Sequence, residues 1–282
     1  MQKKCLKRAA RAGRMLALLC AVCVLGGLLT GCAKAASGRS AVSAGDLPVI
    51  TVGCDDYPPF NYVDVDGNMT GIDVELAREA FGRMGYQAQF VIINWEEKKD
   101  LLRSGQIDCV WSSFTIDGRE DQFNWAGPYM ESHQVVAVRP DSDIYTLADL
   151  EDKVVAVQST TKPEDIFRSH DGTVPPLHGV ISVQKRDLIY VLLSKGYVDA
   201  IAAHDTAIQE FMEGAGLTFR ILDEPLQTVG LGVAFDKEDT RGLHTQLNAV
   251  LADMRADGTA ARIIGTYLSD VQRYLGGVGN GE

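Results

Sequence analysis

Closely spaced metal ligands are missing from most of this chain. Beyond residue 31 there is no CxxC and no HxxxH, and the five histidines (His133, His170, His178, His204 and His244) do not cluster. A metal site built on Cys and His wants several soft ligands at short spacing, so no metal is expected. A GxSxG elbow and a glycine-rich cofactor loop are also lacking, so neither common hydrolase chemistry nor a bound cofactor is expected. Basic residues run short: 27 Lys and Arg face 38 Asp and Glu, for a formal charge of −11. That balance argues against nucleic acid as a partner. After the first 29 residues no apolar run is long enough to span a bilayer, which excludes a transmembrane sensor with an internal signalling domain.

What is present begins with a divided amino terminus. Lys3, Lys4, Lys7, Arg8, Arg11 and Arg14 form a basic head, and Met15 to Leu29 is an uncharged run of 15 residues. That run is short for a spanning helix and right for an export signal. Leu29-Thr30-Gly31-Cys32 follows, and small residues before a cysteine look like a bacterial lipoprotein processing site, with Cys32 as the lipidated first residue. Cleavage there leaves 21 basic residues against 38 acidic ones, a net −17, so attachment to a membrane would rest on acyl chains and not on basic residues. Residues 33–46 are rich in Ala, Ser and Gly and read as a flexible spacer.

Two cysteines, Cys54 and Cys109, remain once the leader and Cys32 are set aside. Both fall at strand ends, as packed thiols or as one disulfide.

The folded body is organised around residues 101–129. A helix should close at Leu101-Leu102 with Gly105 as its stop, followed by a buried strand over 107–111. Three hydroxyls, Ser112, Ser113 and Thr115, then precede Arg119. Hydroxyls and a guanidinium past a strand's carboxyl end suit a small anion-bearing molecule. The plainer reading is a polar loop with a surface arginine.

The same unit returns 91 residues later: Leu102, Gly105, Ile107, Asp108 and Val110 are matched by Leu193, Gly196, Val198, Asp199 and Ile201. Two similar α/β lobes would explain the repetition. Other elements fit that plan. An apolar strand at 49–52 feeds Tyr57-Pro58-Pro59-Phe60, where tandem prolines stiffen a loop that presents Tyr57 as a flat wall or packs it for stability. Residues 73–84 read as an amphipathic helix with Asp73 at its amino end, and Trp95 as core or lid edge. A strand at 154–157 runs into Ser159-Thr160-Thr161, with Thr161 and Glu164 spaced for a capping box. Hydroxyls at a helix amino terminus suit an anion, although capping alone would also explain them. Residues 182–195 read as a helix burying Leu188, Val191 and Leu192. The strand at 198–202 ends at His204-Asp205, where Asp205 would meet a ligand ammonium or cap the next helix. Crossings between the lobes are expected at Arg139-Pro140 and at 225–230.

In order and spacing, these segments resemble the extracellular solute-binding proteins of bacterial amino-acid ABC transporters. The resemblance runs through Tyr57 to Phe60, Gly67 to Glu75, Asp108 to Arg119, Asn124 to Tyr129, Val157 to Thr161, Gly196 to Ala200, Gly232 to Ala234 and Asp257-Gly258. It implies a periplasmic-binding-protein-like type II fold, α/β, with two lobes, two crossings and the ligand in the cleft. Lobe 1 would comprise residues 47–138 and 230–275, and lobe 2 residues 139–229. It further implies a monomer that hands an amino acid or related solute to a permease and its ATPase. Tyr57 would lie against the solute, with Ser113 and Thr115 around its polar backbone. Arg119 would hold the α-carboxylate, with Thr160 and Thr161 closing on it. Trp111, Phe114 and Ser159 complete the expected shell, and Asp205 would take the α-ammonium. Two spacings depart from the family: Arg119 comes one residue early, and strict alignment puts His204, not Asp205, at the ammonium position. Ser159 stands where a glycine is common. A rival class is an enzyme on this fold, with Glu131, His133, Asp56 and His204 as acid and base; another is a binding module for signalling.

Overall fold

The computed structural model describes residues 47–276. The leader, Cys32 and the spacer lie outside the described residues, as does the tail after Gly276.

Two parallel trios of strands carry the architecture; outside them are the short strands β2 (Tyr62–Val63), β3 (Met69–Thr70) and β10 (Arg220–Ile221), and the short helices α2 (Lys98–Arg103) and α3 (Lys162–Ser169) serve one lobe each. In the first trio, β1 (Val49–Cys54) lies between β4 (Gln87–Ile92) and β5 (Cys109–Thr115). In the second, β7 (Val154–Gln158) lies between β8 (Gly179–Val183) and β9 (Ala200–His204). Between them run two long antiparallel strands, β6 (Asn124–Val138) and β11 (Gln227–Phe235). β11 pairs with β5 on one side, and Gln134–Val138 of β6 pair with β9 on the other. The trios therefore form two α/β lobes joined through β6 and β11. The first crossing runs inside β6, ahead of the Arg139-Pro140 break where the sequence placed it. β6 continues through the polar residues Glu131 to Gln134 because pairing with β11 keeps its backbone extended there.

The strand buried behind Gly105 spans β5, so Ser112, Ser113 and Thr115 belong to the strand itself and not to a loop beyond it. The helix expected over 182–195 is shorter. β8 continues to Val183 by pairing with β7, and only Asp187–Ser194 (α4) is helical. Its buried residues are Ile189, Tyr190 and Leu193, whereas Leu188 and Val191 are each 47 % exposed. The buried stripe is therefore the Ile189–Leu193 row with Tyr190, and not the row through Leu188 and Leu192.

The 91-residue repeat is structural. Gly105 and Gly196 end their helices at φ +70° and +72°, values glycine reaches without a Cβ penalty. In lobe 1, Asp108 Oδ2 accepts from Thr51 N–H at 2.8 Å, and Asp108 N–H donates to the Thr51 carbonyl at 2.8 Å. In lobe 2, Asp199 and Val154 repeat both bonds, at 2.8 and 2.9 Å. Each aspartate locks its strand in register beside the lobe's first strand, where a free amide would otherwise go unpaired.

Helix α1 (Ile72–Arg83) packs its buried face, including Leu76, Ala77, Ala80 and Phe81, on Trp111 and the β11 side chains Leu231, Val233 and Phe235. α6 (Leu243–Ala256) and α7 (Thr259–Tyr267) close the same core. Cys54 and Cys109 are fully buried free thiols. Desolvation pushes the Cys54 thiol up to about 12, as expected of packed, unreactive sulfur.

Candidate functional site

The carboxyl ends of β5, β7 and β9 and the loop after β8 meet in a cleft between the lobes. Its walls carry Tyr57, Ser113, Phe114, Thr115 and Arg119 from lobe 1 and Thr160, Thr161, Arg186 and His204 from lobe 2. The lobes are closed. Little free space remains between the walls, so a solute enters only when the lobes part.

Direct bonds hold that closure. Lys98 Nζ donates to Thr160 Oγ1 at 2.8 Å, and Arg119 Nη2 to Asp165 Oδ2 at 2.5 Å. Gln158 Nε2 donates to Asp55 Oδ2 and Gln184 Nε2 to Glu96 Oε2, both at 2.8 Å. The His204 N–H reaches the Tyr57 hydroxyl at 3.3 Å. Lys98 is buried over the Trp95 ring, 4.6 Å from its centroid. Burial first, and the Arg119 charge second, draw its ammonium down to about 7.

Ser113 adopts φ +43°, a left-handed conformation unusual for serine. Its N–H donates to Asp73 Oδ2 at 2.6 Å, while Tyr129 donates its hydroxyl to Asp73 Oδ1 at 2.7 Å and Asn61 its amide to Oδ2 at 3.3 Å. Asp73 is fully buried. It lies in the first turn of α1, near the amino end where the sequence placed it, but its carboxylate turns inward to fix the strand end that presents Ser113. Burial raises it to about 7, against the pull of its three donors.

The expected shell is only partly assembled here. Trp111 is fully buried in the lobe 1 core against Phe81 and Tyr129, with ring centroids 5.9 and 5.5 Å away. It lies deeper in β5 than the residues of the cleft wall, and its ring packs under α1. Ser159 is not part of the lining; its N–H pairs with the Val183 carbonyl at 2.9 Å in the turn after β7. Asp205 also turns away, because α5 (Asp205–Ala215) begins there and His204 takes the inward position. Its carboxylate accepts from Thr206 N–H at 2.8 Å and from Arg273 at 2.9 Å. The Thr161–Glu164 capping box does not form: Thr161 donates to the Gln158 carbonyl at 2.6 Å, and Glu164 accepts from Thr160 N–H at 2.5 Å.

Sequence reasoning missed Lys98, Gln134, Gln158 and Arg186. Gln134 faces His204 across the β6–β9 pair, a register that sequence does not reveal. His204 Nδ1 lies 2.8 Å from Ser132 Oγ and its Nε2 3.0 Å from Gln134 Nε2. Burial, then the Arg186 charge, lowers His204 to about 3, so the ring is neutral. Arg186 is buried in the loop ahead of α4, with its guanidinium carbon 3.0 Å from the Tyr57 ring centroid and Nη2 3.1 Å from Asp55 Oδ2. The polar run Gln184 to Asp187 was the available signal.

The profile of the bacterial extracellular solute-binding proteins, family 3, matches residues 50–270. The histidine-binding periplasmic protein of Salmonella typhimurium is 30 % identical over 241 residues, covering 82 % of this chain and 92 % of that protein. The glutamate-binding protein GluB of Corynebacterium glutamicum is 27 % identical over 277 residues, 91 % of each chain. Among solved structures, an ancestral arginine-binding protein bound to arginine superposes with a TM-score of 0.70 at 26 % identity, covering 78 % of this chain and 98 % of that one.

Proposed function

The chain belongs to the bacterial extracellular solute-binding proteins, family 3, and from that premise we propose that it captures a small amino acid or related polar solute outside the cytoplasm and delivers it, as a monomer, to an ABC permease and its ATPase. The observation that carries this reading is the interlobe cleft, walled by hydroxyls, aromatic faces and guanidinium groups, whose mouth is shut by bonds running from one lobe to the other. A solute bound in the open state adds contacts that exist only when the lobes meet, so occupancy favours closure, and a permease can sense the closed shape. The histidine, glutamate and arginine named for the relatives place the ligand among amino acids. The role is binding without catalysis.

Within that reading Tyr57 and Phe114 supply apolar walls. Ser113, Thr115, Thr160 and Thr161 supply hydroxyls, and Arg119 takes a ligand carboxylate in place of Asp165. An ammonium would meet Gln134 and the neutral His204 ring. A thermal-shift screen of the twenty amino acids tests the function. The expected result is a rise of several degrees with one or a few of them, since a ligand at 100 times its Kd adds about 2.7 kcal/mol. A flat response to all twenty and to related amines and organic acids would remove the proposal. We also place the protein on the membrane through an acylated Cys32. Labelling with a palmitate analogue should mark the wild-type chain and spare Cys32→Ser; equal labelling of both would refute the anchor.

A further inference from the structure

The charge of the cleft wall is lopsided. Its charged lining residues are Arg119, Lys162 and Arg186; among the described residues no carboxylate belongs to it. Asp55 and Asp165 each pair with a guanidinium from outside that lining. Asp205, the acid that would have answered a positive ligand group, is committed to Arg273 on the other side of β9. Asp56, Asp187 and Glu210 line a separate cavity behind Tyr57 and Arg186.

Hydrogen-bonding capacity leans the same way. Among the described residues, four buried side-chain atoms of the cleft wall have no partner: Trp95 Nε1, Arg186 Nη1, Ser113 Oγ and Gln134 Oε1. The first two only donate, the serine hydroxyl does either, and only the glutamine oxygen must accept. Buried donors left unpaired are costly, so a ligand rich in acceptors is the one that repairs them. A guanidinium or imidazolium side chain would bring donors to donors and a positive charge to positive charges.

We infer that the solute carries a second acidic group beyond the carboxylate assigned to Arg119, as an acidic amino acid or a small dicarboxylate does, and that Arg186 selects for it. This rests on the solute-binding reading above. Arg186 is built to be stationary: its guanidinium lies over the Tyr57 ring, its Nη2 is engaged by Asp55 and Gln158, and Nη1 is the donor left over. Fixing a guanidinium in this way preorganises a forked donor for carboxylate. Gln134 Oε1 can still accept one N–H from an amino acid's ammonium, so an acidic amino acid is not disfavoured against its deaminated counterpart on this ground.

The test is calorimetry on the full chain with glutarate, L-glutamate, L-glutamine, L-arginine and L-histidine. Glutarate or glutamate should bind at least about tenfold more tightly than glutamine, a gap of about 1.4 kcal/mol, with arginine weaker still. Arg186→Met should bring glutamate and glutamine within about threefold of each other, and Arg186→Lys should restore part of the gap. Melting curves identify a variant that fails to fold, and the lysine variant then carries the comparison. Glutamine, arginine or histidine binding as tightly as the acids would overturn the inference and leave the solute-binding function standing. An acid preference unchanged in Arg186→Met overturns the role of Arg186. Silence from all five ligands overturns the inference, and the twenty-amino-acid screen then decides whether the wider function falls with it.

Discussion

Replacing Arg119 by alanine should weaken solute binding by about 30- to 1000-fold while leaving the protein folded. The range corresponds to the roughly 2–4 kcal/mol lost when one member of a buried, hydrogen-bonded charge pair is removed at a binding surface. Arg119 is 7 % exposed, lies over the Phe114 ring at 5.4 Å and projects Nη2 to Asp165 across the cleft. The structure thus shows its guanidinium already meeting a carboxylate from the opposite lobe. A ligand carboxylate would take that position or share it. The cost to folding should be small, because the Asp165 side chain is 55 % exposed and ion pairs with a solvated partner contribute little. Calorimetry for affinity and a melting curve for stability separate the two effects. Unchanged affinity, with the variant folded, would reject Arg119 as the carboxylate anchor. Arg119→Lys should fall between wild type and alanine, since it keeps the charge but loses the fork.

The second large effect is expected at Asp73, on stability first. Asp73→Ala leaves the Ser113 amide and the Tyr129 hydroxyl without their acceptor, and takes from Asn61 one of its two, in a site closed to water. Orphaned buried donors of this kind should cost about 3–5 kcal/mol in all, a drop of roughly 10 °C or more in a protein of this size. A melting point within about two degrees of wild type would contradict this. Asp73→Asn should be milder, because the amide oxygen still accepts from Ser113.

The same pair of variants carries a pH test. The native Asp73 carboxyl titrates near 7, above its ordinary value of 3.8, chiefly because it is desolvated. The folded state therefore holds a proton between about pH 4 and 7 that the unfolded state has released. Its contribution to stability is full below about pH 4 and is lost as the pH rises towards 7. Denaturant midpoints across that interval should fall more steeply, or rise less, in wild type than in Asp73→Asn. Parallel profiles would contradict the assignment. Because Asp73 accepts the amide of the left-handed Ser113, affinity should weaken in Asp73→Ala beyond what its stability explains, and less so in Asp73→Asn, which keeps that acceptor.

Local pattern carried much of the architecture. The two Asp-led strands separated by 91 residues could be read from apolar spacing, a stopping glycine and an acid at a fixed offset, and both lobes use that acid in the same backbone clamp. The rigid loop at Tyr57 and the hydroxyl cluster around Ser113 were legible for a similar reason: tandem prolines fix their own backbone, and a run of hydroxyls at a strand's end is visible among near neighbours. Arg186 was hidden by one misplaced boundary. With residues 182–195 read as one helix, it fell on an outer face. The true end of β8 at Val183 instead puts it in a loop at a strand's carboxyl end, where the cleft lies. Trp111 and Asp205 were drawn into the site because proximity in sequence was taken for direction in space. Trp111 sits deeper along β5 and packs against Phe81 of α1, and the helix beginning at Asp205 turns its carboxylate towards Arg273.

By itself, then, the sequence determined two repeated lobes, an acidic exported chain and the residues at the tips of its strands, since these follow from composition and from interactions between near neighbours. Tertiary structure alone decided which tips face one another. Gln134 meets His204, Lys98 meets Thr160, and Arg186 settles on Tyr57 only after strands distant in the chain have paired. The sign of the charge in the cleft depends on those meetings: a chain with an excess of carboxylates over its whole length lines its cleft with guanidinium groups, while the acids paired with them stay out of that lining.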